Sequence, residues 1–338
     1  MKFANSADKR MADEAPTSTT TPATHQARPL GGAALYWLGR NSIWVILLVC
    51  VIGFSFGSPY FFTVFNLSNI LVQSAFIGFL SIGMTLIMIN GNIDLTVGST
   101  LGLCACLAIG LQQYGVAVAV TGALGAGLLL GFVNGIIVVK TGVHSFIVTL
   151  GGLIGIRGLV FVYTGENSLS ATNMSFMDFG MISIGPVSLI AVLFLGFMLF
   201  AQWALSRTRH GREAYAIGGN RQAAENAGIK VSRHIVINFM VSGLMAAVAG
   251  ITMSAQMGAA TPNLGTNYEL WTIIAVVLGG TKLQGGAGAL WGTLGGVLTL
   301  GVLRNGMNLM HVQPFYVLVL LGVVLILALI VDKQFNRE

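Results

Sequence analysis

Residues 69–90 read Asn69-Ile70-Leu71-Val72-Gln73-Ser74-Ala75-Phe76-Ile77-Gly78-Phe79-Leu80-Ser81-Ile82-Gly83-Met84-Thr85-Leu86-Ile87-Met88-Ile89-Asn90. No charge interrupts this run, and as a helix it is long enough to cross the roughly 30 Å hydrocarbon layer of a bilayer. Lipid offers no partner to a free backbone N–H or C=O, so such a run is helical, and the alternation of a β-barrel strand is absent. Nine further apolar runs fall at 42–64, 97–113, 116–139, 145–163, 186–206, 234–257, 269–281, 289–304 and 313–331. The composition agrees: 338 residues, 55% hydrophobic and 8% charged, with a mean hydropathy of +0.82, against about 25% charge in an ordinary soluble domain. A large soluble enzyme is excluded. The expected fold is an all-α integral membrane protein of about ten transmembrane helices, and 45 glycines suit close helix contacts.

The net charge of +6 sets topology rather than nucleic-acid binding. With the N-terminus inside, 15 of the 17 Lys and Arg fall in cytoplasmic segments, leaving only Arg157 within a helix and Arg304 near an outer boundary. The expected organisation is a disordered cytoplasmic tail at 1–40, a transmembrane domain at 41–332 with a cytoplasmic loop at 207–233, and a cytoplasmic end at 333–338. The tail has no signal-peptide core.

Two matches suggest an inverted repeat of helices 2–5 against helices 7–10. Asn134-Gly135 followed by Val143 and Phe146 parallels Asn305-Gly306 followed by Val312 and Phe315, five helices on. The third and eighth runs, which correspond under this repeat, are also the shortest. Short runs at matching places in two halves point to a substrate pathway, although a steep short helix extended by polar residues gives the same pattern. The eighth run is kept as a span, because re-entry would move Lys282 outside.

The most patterned polar stretch is Gly211-Arg212-Glu213-Ala214-Tyr215-Ala216-Ile217-Gly218-Gly219-Asn220-Arg221-Gln222-Ala223-Ala224-Glu225-Asn226-Ala227-Gly228-Ile229. Asn220 can cap a short helix over Arg221–Ala227, and Gly228 suits a left-handed stop. Such a helix offers a shallow knob to another protein.

This stretch resembles the cytoplasmic coupling loop of ribose-type monosaccharide ABC transporter permeases, in the family that also holds branched-chain amino acid permeases. Gly91-Asn92-Ile93-Asp94-Leu95-Thr96-Val97-Gly98-Ser99 and Tyr268-Glu269-Leu270 running to Ala275-Val276-Val277-Leu278-Gly279-Gly280-Thr281 carry the same resemblance, over about residues 40–332. It implies a type II ABC importer-like fold in a bacterial inner membrane. It also implies a second permease subunit, identical or a close paralogue, a cytoplasmic ABC ATPase and a periplasmic sugar-binding protein. ATP and Mg would sit on the ATPase, with no cofactor and no catalytic residue on this chain. The coupling residues it implies are Gly211, Arg212, Ala216, Ile217, Gly218, Gly219, Asn220, Ala223, Ala224 and Gly228. Two stretches depart from the family's common pattern: Lys282-Leu283-Gln284-Gly285-Gly286-Ala287-Gly288, and Trp271, where an acidic residue is common.

The pathway candidates are polar or aromatic groups in or beside the apolar runs. Asp94 has two readings: a cap for the third helix, using Thr96 and Ser99, or with Asn92 the border of a conduit's inner end. Glu269, after Thr266-Asn267-Tyr268, has the same two readings at the eighth helix. Asn134 and Asn305 either end their helices or face the conduit. Gln73, Asn238 and Gln256 either bridge helices or line a passage, and Phe146 and Phe315 complete the set. The outer loops carry acids only, Glu166 and Asp178, where the resemblance implies docking of a basic rim on the binding protein.

Other chemistries find no motif. There is no G-x-x-x-x-G-K-[ST] phosphate loop. Cys50, Cys104 and Cys106 lack ligand spacing, and His144, His210, His234 and His311 lack a helix-spaced partner, so no metal site is expected. A branched-chain amino acid permease and a stand-alone secondary transporter are the alternatives. The latter needs an ion-coupling carboxylate deep in the membrane, whereas Asp94 and Glu269 lie at segment ends.

Overall fold

The computed structural model describes residues 42–313, 315–320, 322, 323 and 326. The expected segments 1–40 and 333–338 lie outside the described residues, as does much of the run 313–331, of which 315–320 are helical.

The remaining nine apolar runs meet helices, with boundaries moved by local chemistry. The first run stops early: α1 spans Ser42–Gly57, because Pro59 disfavours helix at Ser58. Thr63 then accepts from the Asn66 N–H and starts α2 at Val64, five residues before the expected start, and α2 runs to Ile89. After a linker come α3 (Val97–Gly110), a 3-10 turn at Leu111–Tyr114, α4 (Val116–Thr141) and α5 (Ser145–Thr164).

The outer loop expected at 164–185 is not plain coil. It holds β1 (Leu169–Ser170), α6 (Met174–Met181) and a hairpin of β2 (Ser183–Ile184) with β3 (Val187–Ser188), turned at Gly185. The hairpin delays α7 to Leu189–Arg207. Then follow α8 (Arg209–Gly219), α9 (Arg221–Asn226) and α10 (Val231–Met257). The chain continues through β4 (Ala259–Ala260), antiparallel to β1, to α11 (Tyr268–Leu278) and α12 (Leu290–Leu309).

Among the described residues five helices, α2, α4, α5, α7 and α10, are long and apolar enough to cross a membrane. Two of them form the centre. α2 packs against α10, α11, α12 and α7, while α10 packs against α4, α2 and α3. Glycine permits the closest approach: a Cβ on Gly127 of α4 or on Gly243 of α10 would overlap the other's carbonyl oxygen. The periphery is the reverse of a water-soluble surface, with Phe56, Val162 and Phe65 respectively 88%, 82% and 79% exposed. Apolar side chains that open are at ease only against lipid or another apolar surface.

α3 has 14 residues and α11 has 11, so they reach only about 21 and 16 Å. α11 therefore does not span alone, which corrects the expectation for the eighth run. The missing length is backbone: residues 258–267 fold inward and reach the start of α3, where Gly265 and Gly98 lie so close that a Cβ on either would overlap the other's carbonyl oxygen. From this meeting point the two short helices leave in opposite directions. α3 ends beside Thr172 and Asn173, whose N–H groups donate to Gln112 Oε1 at 2.9 and 3.1 Å. α11 ends beside the turn 282–288, where the Gly286 N–H donates to the Ile89 carbonyl at 2.9 Å. Lys282 thus stays on the side of α8 and α9.

Candidate functional site

Three constructions combine the residues singled out in the sequence: a handle, a central polar seam and an open cavity. The handle is α8 and α9. Thr208 caps α8, accepting from the Gly211 N–H, and Asn220 caps α9, accepting from the Ala223 N–H at 2.9 Å. Gly228 follows α9 at φ +82°, the left-handed region glycine favours. Asn220, Arg221, Gln222 and Ala223 are exposed, whereas Ile217 and Ala224 are buried beneath them.

The handle is fastened to the helical core at three places. At Gly218 a Cβ would overlap the Ile89 carbonyl oxygen and the Gly286 nitrogen, so α8 lies directly on the end of α2 and on the turn after α11. Tyr215 donates its hydroxyl to the Gly288 carbonyl at 2.7 Å, and burial pushes its acidity below that of a free tyrosine. On the α10 side, His234 Nε2 lies 2.7 Å from Glu213 Oε2, His210 Nε2 lies 2.8 Å from Asn238 Oδ1, and the two imidazoles stack at 4.4 Å. Arg209, 2.6 Å away, holds the Glu213 carboxyl below the usual carboxylate range, with His234 adding to it. Asn238 also donates to the Leu86 carbonyl at 3.2 Å. It ties α10 to α2 and α8 and lines neither cavity.

The central seam is built on Asp94, only 1% exposed. Its Oδ1 accepts from the Thr96 N–H at 2.9 Å and from the Thr96 hydroxyl, which turns the chain into α3. Its Oδ2 accepts from the Ser242 hydroxyl at 2.8 Å. Ser242 is the twelfth of the 27 residues of α10, so Asp94, at the end of its own segment in the linker before α3, lies beside the middle of α10. Asn134 of α4 donates to Thr96 Oγ1 at 3.0 Å, and Ser145 Oγ of α5 accepts from the Ile93 N–H at 3.0 Å. Four elements are thereby pinned to one linker.

The cavity, about 540 Å³, opens on the side away from the handle, between α2, α10, α11, α12 and Val312, Phe315, Val317 and Leu318. Of the pathway candidates it contains Gln73 and Phe315. Trp271, Tyr268 and Phe76 add aromatic faces, Asn267 and Asn308 add amides, and Arg304 is the one charged residue among the described lining. The volume falls in the range of small-molecule sites. A smaller cavity of about 300 Å³ lies against the handle, between Asn92, His144, Gly218, Asn220 and Gln284.

The remaining candidates stand apart from both cavities. Asn305 exchanges two hydrogen bonds with Asn66, at 2.8 and 3.0 Å, joining α12 to α2. Phe146 is exposed in the first turn of α5, and Gln256 is half-buried near the end of α10, its backbone against Gly180. Glu269 lies with Oε2 against Gly98, so one carboxylate faces the first turns of both short helices, where exposed N–H groups favour negative charge.

The family described as branched-chain amino acid transport system / permease component matches residues 66–329. The chain belongs to this family. It is 40% identical over 308 residues, 88% of the chain and 95% of the relative, to the ribose import permease protein of Escherichia coli. To the ribose import permease protein of Bacillus subtilis it is 40% identical over 296 residues, covering 85% of the chain and 91% of the relative. To the D-allose transport system permease protein of Escherichia coli it is 33% identical over 307 residues, covering 90% and 94%. No solved structure matches.

Within this permease a positioning residue and a side-chain pair escaped the reading of the sequence. Arg157 of α5 donates Nη1 to the carbonyls of Pro262 and Leu264, each at 2.8 Å, and so holds the inward loop before α11. Its signal was its position, a lone cation inside an apolar helix. The His210 and His234 pair escaped as well, because 24 residues separate partners that no helical period relates.

Proposed function

We propose that this chain is the membrane-spanning permease subunit of a binding-protein-dependent ABC importer that moves a monosaccharide across a bacterial inner membrane. The relatives named above import ribose and allose, and a further relative, 32% identical over 320 residues, is the galactose/methyl galactoside import permease protein of Salmonella typhimurium. Hydrolysis belongs to a cytoplasmic ATPase that binds ATP and Mg. A periplasmic protein delivers the sugar, a second permease copy or close paralogue completes the conduit, and lipid surrounds both.

The observation that carries the mechanism is the fastening of the handle. The exposed tip at Asn220–Ala223 is continuous, through Gly218 and Tyr215, with the turn that ends α11 and with the end of α2. A partner whose contact with the tip differs between its nucleotide states therefore biases the short helix that lines the cavity, and that differential contact is the free-energy link. Gly211, Arg212, Ala216 and Gly219 belong to the same lever.

A topology of ten apolar segments with both termini in the cytoplasm, the eighth crossing as α11 together with the inward loop 258–267, and the inverted repeat complete this reading. The packing supports the repeat: exchanging α2 with α10, α3 with α11 and α4 with α12 maps α10 on α3 and α4 onto α2 on α11 and α12.

The test is uptake by proteoliposomes carrying the permease, its ATPase and its binding protein, offered D-ribose, D-allose, D-galactose or L-leucine. Sugar uptake that requires the ATPase and ATP is the expected result. Uptake driven by an ion gradient without the ATPase would overturn it in favour of a secondary transporter, and movement of leucine alone would turn it toward the amino-acid branch.

A further inference from the structure

We infer that Arg304 is the residue of the conduit that binds the sugar, presenting its guanidinium edge to a pair of neighbouring hydroxyls while Trp271 holds its face. The inference rests on the sugar-permease reading and names a contact within it.

The guanidinium carbon stands 5.7 Å from the centre of the Trp271 ring, over its face. Trp271 is itself fixed, only 6% exposed in α11, so the planar cation rests on a rigid platform. Arg304 forms no ion pair among the described residues, where the pairs are Arg209–Glu213, Arg221–Glu225 and His234–Glu213. Among the described residues no carboxylate lines the cavity into which it faces. An arginine carries five N–H donors and no acceptor. The contact with the ring face spends none of them and none donates to another described residue, so the cavity holds a positioned fork of donors.

The chemistry of the walls decides what meets that fork. Gln73, Asn267 and Asn308 offer amides that both donate and accept, and Tyr268 and Phe76 offer faces for the C–H side of a ring. A neutral polyol matches this set: adjacent oxygens accept from the guanidinium, hydroxyl hydrogens go to amide oxygens, and the apolar ring face goes to an aromatic. A lysine at position 304 would keep the charge but lose the two parallel donors and the stack. A hydrogen bond to a charged group, once lost, corresponds to about a tenfold change or more in binding.

The experiment uses the complete transporter in proteoliposomes with D-ribose, comparing wild type, Arg304→Lys and Arg304→Gln. Two quantities are read: ATPase stimulation by the loaded binding protein, and sugar moved per ATP hydrolysed. The expected result is stimulation within twofold of wild type and sugar per ATP reduced about tenfold. A merely structural role would move both together. The second measurement needs no variant: phenylglyoxal modification of Arg304, mapped by mass spectrometry, should slow in the presence of turnover with D-ribose and not with L-leucine.

Unchanged sugar per ATP in both variants, a joint fall of both quantities, or modification indifferent to ribose would overturn the assignment. Failure of the parent reading looks different, since the wild-type transporter would then move none of D-ribose, D-allose and D-galactose.

Discussion

Two adjacent glycines of the handle have opposite surroundings, and they carry the sharpest consequence of the fold at single-residue scale. A Cβ on Gly218 would overlap backbone atoms of Ile89 and Gly286, which cannot rotate away, whereas nothing lies within 4 Å of one on Gly219. Gly218→Ala must therefore lift α8 off the end of α2, at a cost of about 1–3 kcal/mol for overpacking. Gly219→Ala meets only open space. The expected outcome is loss of sugar uptake with ATPase binding retained for the first, and near wild-type uptake for the second. Equal behaviour of the two would remove Gly218 from the lever. Local residues of the handle were legible in the sequence, since Asn220 as a cap and Gly228 as a stop depend on their neighbours alone. The difference between Gly218 and Gly219 was not, because it is set by Ile89 and by the turn at 282–288, each reached only through the tertiary fold.

At the scale of elements, the short helices illustrate the same division. Their shortness could be read from hydropathy, and the glycines after Leu278 mark where α11 stops. How the chain makes up the missing length could not be read, because the loop 258–267 is polar and its inward course depends on a cation a hundred residues away. Arg157 supplies that cation, donating to two carbonyls that no helix or strand satisfies. Arg157→Gln is expected to leave at least one of them unpaired, costing about 1–3 kcal/mol, with the loop loosening before the helices do. Hydrogen exchange should show faster exchange across 259–268 and unchanged protection in α2 and α10. Loss of protection throughout would mean that Arg157 supports the whole bundle rather than this loop. Asp94 behaves in the same way: its turn into α3 follows from the local Asp94-Leu95-Thr96 sequence, but its bond to Ser242 crosses 148 positions and places the carboxylate midway along α10.

For the whole molecule, the distribution of exposed surface distinguishes one flank from the rest. Most of the periphery is apolar, as lipid requires, but the mouth of the larger cavity exposes Gln73 and Asn308 beside Phe315. Polar amides facing hydrocarbon are costly, and the second permease copy proposed above, turned toward the first, would keep the cavity wet with the same set of residues. A closed two-fold pair brings equivalent patches together. Single cysteines placed at Gln73 or Asn308, in a chain with Cys50 replaced and the buried Cys104 and Cys106 retained, should then cross-link copy to copy with a short bifunctional maleimide in native membranes. A cysteine at Val162, 82% exposed on α5, should not. If instead Val162 cross-links and the two cavity positions do not, the cavity faces away from its partner copy, and a conduit shared between two chains cannot run through it.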